Sequence, residues 1–235
     1  MTGPRTPDDR LFFPGDDRLE GILEWPPDGA LAGGVVVAHP HSLHGGTMAQ
    51  PVVYRIAQAS RQRGLATLRF NFRGVGASLG AYSGTEEYRD VEAAAAFLRG
   101  RMAALEGDPV PSSVTPPVAL AGYSFGSIMA ARAAAGVEPV AALALVGFVV
   151  SWEDLPPDTF ARLAVYRGPV LAVCAENDDL GYPEQVERVL KDLNLDFTMN
   201  VIEDAGHFLE GRHHEVGDLV ANFLASALAL RRRAV

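Results

Sequence analysis

At 235 residues with 48% hydrophobic content, the chain can bury a substantial core, and its length fits a single domain. A net charge of −9 argues against nucleic acid as a partner, because phosphate binding calls for a basic patch and the one basic run is Arg231 to Arg233. The single cysteine, Cys174, excludes an internal disulfide framework; it lies within the apolar run Val170 to Cys174, where a buried thiol in a reducing compartment is expected.

Met1 to Arg10 is polar and proline-bearing, and is expected to fray rather than to act as a signal peptide. Leu11 to Phe13 and Leu19 to Trp25 are β-prone and flank Pro14-Gly-Asp-Asp17, which predicts a hairpin at a sheet edge. Val35 to Ala38 is an unbroken apolar run, as in a central strand covered on both faces. Pro51 opens a helix with Val53, Ile56, Ala57 and Ser60 on one face, and Gly64 stops it. Leu65 to Phe70 returns as a strand. After the loop Asn71 to Ser83, Ser83-Gly-Thr-Glu86 has the form of a capping box for a helix reaching Leu98, with Val91, Ala94, Ala95 and Leu98 facing inward.

Pro117 to Ala121, Val140 to Val146, Val170 to Cys174 and Asp196 to Ile202 read as further strands, with a Pro183-initiated helix between the last two. A closing amphipathic helix buries Val216, Leu219, Val220, Phe223, Leu224, Ala227 and Leu228, and residues 231–235 read as a basic tail. Strand and helix alternate throughout. The expected fold is therefore α/β: a mostly parallel, doubly wound sheet over residues 11–230, with helices on both faces and the site beyond the carboxyl ends of the strands. The longest apolar run, Val140 to Val150, is too short to span a bilayer, so a soluble cytoplasmic monomer or homodimer is expected, with no membrane partner.

Chemistry concentrates at Gly122-Tyr-Ser-Phe-Gly126, between an apolar strand and the helix-prone segment Ser127 to Ala135. That is the arrangement of a nucleophile elbow, in which Ser124 sits on a sharp strand-to-helix turn whose crowding the glycines relieve. A serine hydroxyl is a poor nucleophile unless a histidine takes its proton and a carboxylate orients the histidine. Asp178, in Glu176-Asn-Asp-Asp-Leu180, and His207, in Ala205-Gly-His-Phe208, follow in the order Ser, Asp, His of the α/β-hydrolases. Asp178 is preferred to Asp179 because it fills the aspartate position of a Gly-Glu-x-Asp pattern, with Ala175 in place of the glycine; Glu176 and Asp204 are weaker competitors. The oxyanion of the tetrahedral intermediate needs N–H donors, assigned to Phe125 and, since Pro40 has none, to His41, with Ser42 as the lesser choice.

His39-Pro-His-Ser-Leu-His-Gly-Gly-Thr-Met48, Leu68-Arg-Phe-Asn-Phe-Arg-Gly-Val-Gly-Ala-Ser78, Gly122-Tyr-Ser-Phe-Gly126 and Gly206-His-Phe208 resemble motifs of small predicted α/β-hydrolases related to dienelactone hydrolases and to the X-prolyl dipeptidyl peptidase hydrolase domain. The resemblance runs from about Leu19 to Leu228. It implies the fold and the serine triad; Ser124 departs from the cysteine nucleophile of dienelactone hydrolases proper.

The expected function is a serine carboxylesterase acting on small soluble esters with no cofactor. Thioesterase or prolyl-type amidase chemistry on the same triad is an alternative, and so, from another class, is a non-catalytic binding protein. His39-Pro-His-Ser-Leu-His44 matches the histidine spacing of a His-x-His-x-Asp-His metal motif, but Leu43 replaces the aspartate and no metal is expected. Gly74-Val-Gly76 is read as a tight turn anchored by Arg73 rather than as a dinucleotide site, because Leu79 stands where a third glycine belongs. Gly147 to Gly168 is too short for a separate cap domain, so an open or lightly covered site is expected, with Ser42, Tyr123, Trp152, Phe160 and Phe208 as pocket residues. An open cleft removes little of a long chain from water, which predicts acyl groups of roughly two to six carbons.

Overall fold

The computed structural model describes residues 10–105, 117–136 and 139–233. Residues 1–9, of the ten expected to fray, and 234–235, at the end of the expected tail, lie outside the described residues, whereas Arg10 is already paired in the first strand. The elements are β1 (Arg10–Pro14), β2 (Arg18–Glu24), β3 (Gly33–Ala38), α1 (Pro51–Gln62), β4 (Leu65–Phe70), α2 (Tyr88–Ala103), β5 (Val118–Tyr123), α3 (Phe125–Ala133), β6 (Leu143–Val146), α4 (Thr159–Leu163), β7 (Val170–Asn177), α5 (Pro183–Asp192), β8 (Phe197–Gly206) and α6 (His213–Arg233).

The strands form one eight-stranded sheet in the order β1-β2-β4-β3-β5-β6-β7-β8. The N-terminal hairpin lies at one edge, its β1–β2 and β2–β4 pairs antiparallel, and every later pair is parallel. The unbroken apolar runs have a direct cause. Along β3, Val36 and Ala38 enter one core while Val35 and Val37 enter the other; in β7 the same alternation separates Ala172 and Cys174 from Leu171 and Val173. Side chains two apart share a face, so a strand with an apolar layer on each side has no polar position to spare. One layer is built by α2, α3, α4 and α5, the other by α1 and α6, through Val53 and Ile56 and through Val216, Val220 and Leu224.

Several boundaries differ from those expected. Ser83 does cap the turn ahead of α2, its Oγ accepting from the N–H groups of Thr85 and Glu86 at 3.1 and 2.7 Å. The carboxylate that returns to the Ser83 N–H is that of Glu87, at 2.6 Å, and not that of Glu86. Glu87 is completely buried, whereas Glu86 pairs with Arg89 at 2.7 Å, and α2 begins only at Tyr88. Arg231 to Arg233 belong to α6 rather than to a tail. Among the described residues, no helix is long and apolar enough to cross a membrane. Cys174 is a buried free thiol, and burial pushes its pKa up to about 12, away from the reactive thiolate.

Candidate active site

β3 and β5 are neighbours whose onward connections run opposite ways, through α1 to β4 on one side and through α3 to β6 on the other. A crevice opens at their carboxyl ends because no connection covers it. Ser124 stands there, between β5 and α3, with φ 54° and ψ −122°. Such a backbone costs a non-glycine residue on the order of 1–3 kcal/mol and persists only when its surroundings enforce it. Here the Ser124 N–H donates to Val146 O at 2.9 Å, and Ser127 Oγ donates back to Ser124 O at 2.6 Å. The flanking glycines are steric requirements. A Cβ on Gly122 would meet the Gly126 carbonyl, and one on Gly126 would meet the Ala38 carbonyl of β3.

The candidate acid and base are brought together by strand pairing. β7 and β8 both run beyond their expected ends, and past a bulge Asn177 lies opposite Gly206. Asp178 and His207 are the next residue of each strand. His207 Nδ1–H donates to both Asp178 oxygens, at 2.8 and 2.9 Å, and the Ser124 hydroxyl donates to His207 Nε2 at 2.8 Å. Asp178 is completely buried and also accepts from the Leu180 N–H at 3.0 Å. The competing acids are placed elsewhere: Asp179 is exposed, and Glu176, within β7, accepts from the Asp204 N–H at 2.8 Å in β8. Tyr123 adds a brace, its hydroxyl donating to the His207 carbonyl at 3.0 Å. Burial, and then the Asp178 charge, push the Tyr123 phenol well above its usual range, so it stays a donor.

The facing wall is the loop after β3. His39 is buried; its Nδ1–H donates to Pro40 O at 2.6 Å and its Nε2 accepts from the Phe72 N–H at 3.1 Å. Burial drives its pKa down to about 4, which keeps the ring neutral and able to accept. His41 Nδ1 accepts from the Leu43 N–H at 3.2 Å, and its Nε2 lies 2.7 Å from the Tyr82 hydroxyl. Among the described residues, no group accepts from the backbone N–H of His41 or of Phe125. Arg73, the expected anchor of the 74–76 turn, forks onto Asp90 with contacts of 2.6 to 3.1 Å, and the Gly74 N–H donates to Leu79 O at 3.1 Å.

Ser124 opens into a cleft of about 500 Å³. Of the expected pocket residues, Tyr123, Trp152 and Phe208 line it, together with His41 and Phe125. Ser42 and Phe160 do not. Ser42 heads a short 3-10 turn behind His41, and Phe160, in α4, packs against the core because the crossover folds back on α3. Ile128, Val149 and Leu180 complete the apolar wall; as isolated aliphatic residues they carry no signal in the sequence that separates them from core. Between β6 and β7 the chain carries only the five-residue α4, so no cap domain is inserted there.

A strained serine on a strand-to-helix turn, at the switch point of a mostly parallel sheet with a histidine and an aspartate in line, defines the α/β-hydrolase class. The family model described as the alpha/beta hydrolase domain matches residues 33–230, and the chain belongs to that family of hydrolases. It is similar to the structure of an alpha-beta serine hydrolase homologue from Coxiella burnetii, at 30% identity, covering 94% of this chain and 100% of that one with a TM-score of 0.79. A lid-less α/β serine hydrolase from Xanthomonas campestris is 29% identical over 97% of this chain and 95% of its own, with a TM-score of 0.71. An uncharacterised protein of Rickettsia prowazekii is 25% identical over 92% of this chain and 88% of its own.

Proposed function

We propose that the protein is a serine carboxylesterase that cleaves small soluble esters through an acyl-enzyme on Ser124. The observation that carries the reading is the unbroken hydrogen-bond chain Ser124 Oγ, His207 Nε2, His207 Nδ1, Asp178, with the serine held in a costly backbone conformation at the strand-to-helix turn. In the proposed reaction Ser124 Oγ attacks the ester carbonyl as His207 takes its proton, and Asp178 stabilises the imidazolium. The tetrahedral oxyanion accepts from the Phe125 and His41 N–H groups, which have no described protein acceptor. His207 then protonates the departing alkoxide, and water repeats the sequence on the acyl-enzyme.

Small substrates are supported by the cleft of about 500 Å³, walled by a short crossover rather than a cap. The reaction is tested by treating the protein with a fluorophosphonate and locating the adduct by mass spectrometry, alongside turnover of p-nitrophenyl esters of increasing chain length. An adduct on Ser124, lost in Ser124→Ala, and rates that peak at roughly two to six acyl carbons are expected. An adduct on Ser42 or Ser78, or rates rising steadily to long chains, would overturn it.

A further inference from the structure

Beside the cleft lies a second lobe of about 570 Å³, between Tyr82 to Thr85 and the segment Trp152 to Pro157. The two lobes share His41, His44 and Trp152, whereas His207 and Phe208 line only the first. The second lobe therefore adjoins the wall that faces the base, with His41 and Trp152 between the two. A leaving group must sit against His207 Nε2 to receive its proton, so this lobe is on the acyl side.

Hydrogen-bond valence identifies what the lobe offers. His41 Nδ1 accepts from the Leu43 N–H, so the neutral ring carries its proton on Nε2 and donates it to the Tyr82 oxygen. Burial, followed by the neighbouring His44, lowers the His41 pKa and favours that neutral ring. With its oxygen already accepting, Tyr82 must direct its own O–H proton elsewhere, and among the described residues nothing accepts it. Burial and the charges of Glu87 and Asp154 push the phenol up to about 12, so the proton stays on. Glu153 and Asp154 line the same lobe, and among the described residues no lysine or arginine lines either one.

We propose that the second lobe is an acyl-chain subsite for uncharged, oxygen-bearing chains, in which the Tyr82 hydroxyl donates to a ketone, ether or hydroxyl oxygen of the substrate and Glu153 and Asp154 turn anionic chains away. The proposal rests on the esterase reading and gives its substrate class. His41 is the hinge of the arrangement: its backbone N–H faces the oxyanion while its ring sets the direction of the Tyr82 proton.

Matched p-nitrophenyl esters of hexanoate, 5-oxohexanoate and monoglutarate test it, because the leaving group and the number of heavy atoms along the acyl chain are held constant, a carboxylate oxygen of glutarate standing where the sixth carbon does. A neutral hydrogen bond contributes about 1 kcal/mol, so the oxo chain should exceed the alkyl chain by about fivefold in kcat/KM. In Tyr82→Phe that ratio should collapse to near one, whatever happens to the absolute rates. The glutarate ester should be the poorest of the three, and should gain on hexanoate in the double variant Glu153→Gln/Asp154→Asn and at high salt. Equal losses on oxo and alkyl esters in Tyr82→Phe would show that Tyr82 only props His41 and would overturn the proposal, as would a glutarate ester cleaved as fast as the hexanoate ester by the wild type. Inactivation rates with phosphonates bearing the same three chains read the subsite without turnover. If they follow the predicted order while no ester is cleaved, the ester reading fails and the subsite stands; if esters are cleaved but the order is absent, the subsite fails alone.

Discussion

Asp90 and Asp178 are both completely buried aspartates, and they are held in opposite ways. Asp90, in α2, takes the Arg73 guanidinium fork and the Arg73 N–H, which ties the 71–83 loop to the helix. Burial pushes its carboxyl up while the arginine pulls it down. Asp178 takes an imidazole whose far nitrogen reaches Ser124. An arginine stays charged at any working pH, so its partner can only anchor; an imidazole has a second nitrogen that can take up and return a proton, so its partner can orient such a transfer. Burial of a carboxylate therefore does not mark function. What its partner can do with a proton does.

The comparison breaks most visibly on activity. Asp178→Asn should lower kcat by about 10³ to 10⁴, with its urea midpoint nearly that of the wild type. Loss of activity in Asp179→Asn with Asp178→Asn intact would move the acid by one position. Asp90→Ala should do the reverse. Arg73 then keeps only the exposed Asp16 at 3.4 Å, and loss of its buried partner costs about 3–5 kcal/mol in urea unfolding, while kcat of the folded fraction stays within a few-fold of wild type.

A third test uses His39, which is held neutral by burial and accepts from the Phe72 N–H. Its folded pKa of about 4 lies below the ordinary 6.5, so the unfolded chain binds the proton more tightly in that window. The contribution is fully present above pH 6.5 and is lost as pH falls toward 4, about 3 kcal/mol in all. Urea midpoints measured across that range should fall for the wild type and fall less for His39→Gln; parallel curves would reject the assignment. The smallest effect is expected at Tyr123→Phe, which removes one hydrogen bond to the His207 carbonyl. A three- to tenfold drop in kcat, corresponding to about 1 kcal/mol, with little change in stability would show that the base needs bracing as well as a partner.

The residues that determine their own surroundings are legible in the sequence. Gly122, Ser124 and Gly126 encode a turn through steric exclusion alone, and the apolar runs of β3, β5, β6 and β7 declare strands covered on both sides, because both are properties of a few consecutive residues. The order of Ser124, Asp178 and His207 along the chain likewise follows from strand ends in a parallel sheet. Contacts between distant segments had to wait for the fold. The bulge that sets Asn177 opposite Gly206 is what brings Asp178, rather than Asp179, under His207. The choice of Glu87 over Glu86 at Ser83 turns on which carboxylate is buried, and the loss of Phe160 from the pocket on how the short crossover packs. Tyr82 had no local signal at all, since its significance comes from the ring of His41, forty-one positions earlier, against which the tertiary fold sets it. Sequence encodes period, polarity and local sterics; register and long-range packing are settled only when the chain has closed on itself, and those settle which chemically able side chains meet.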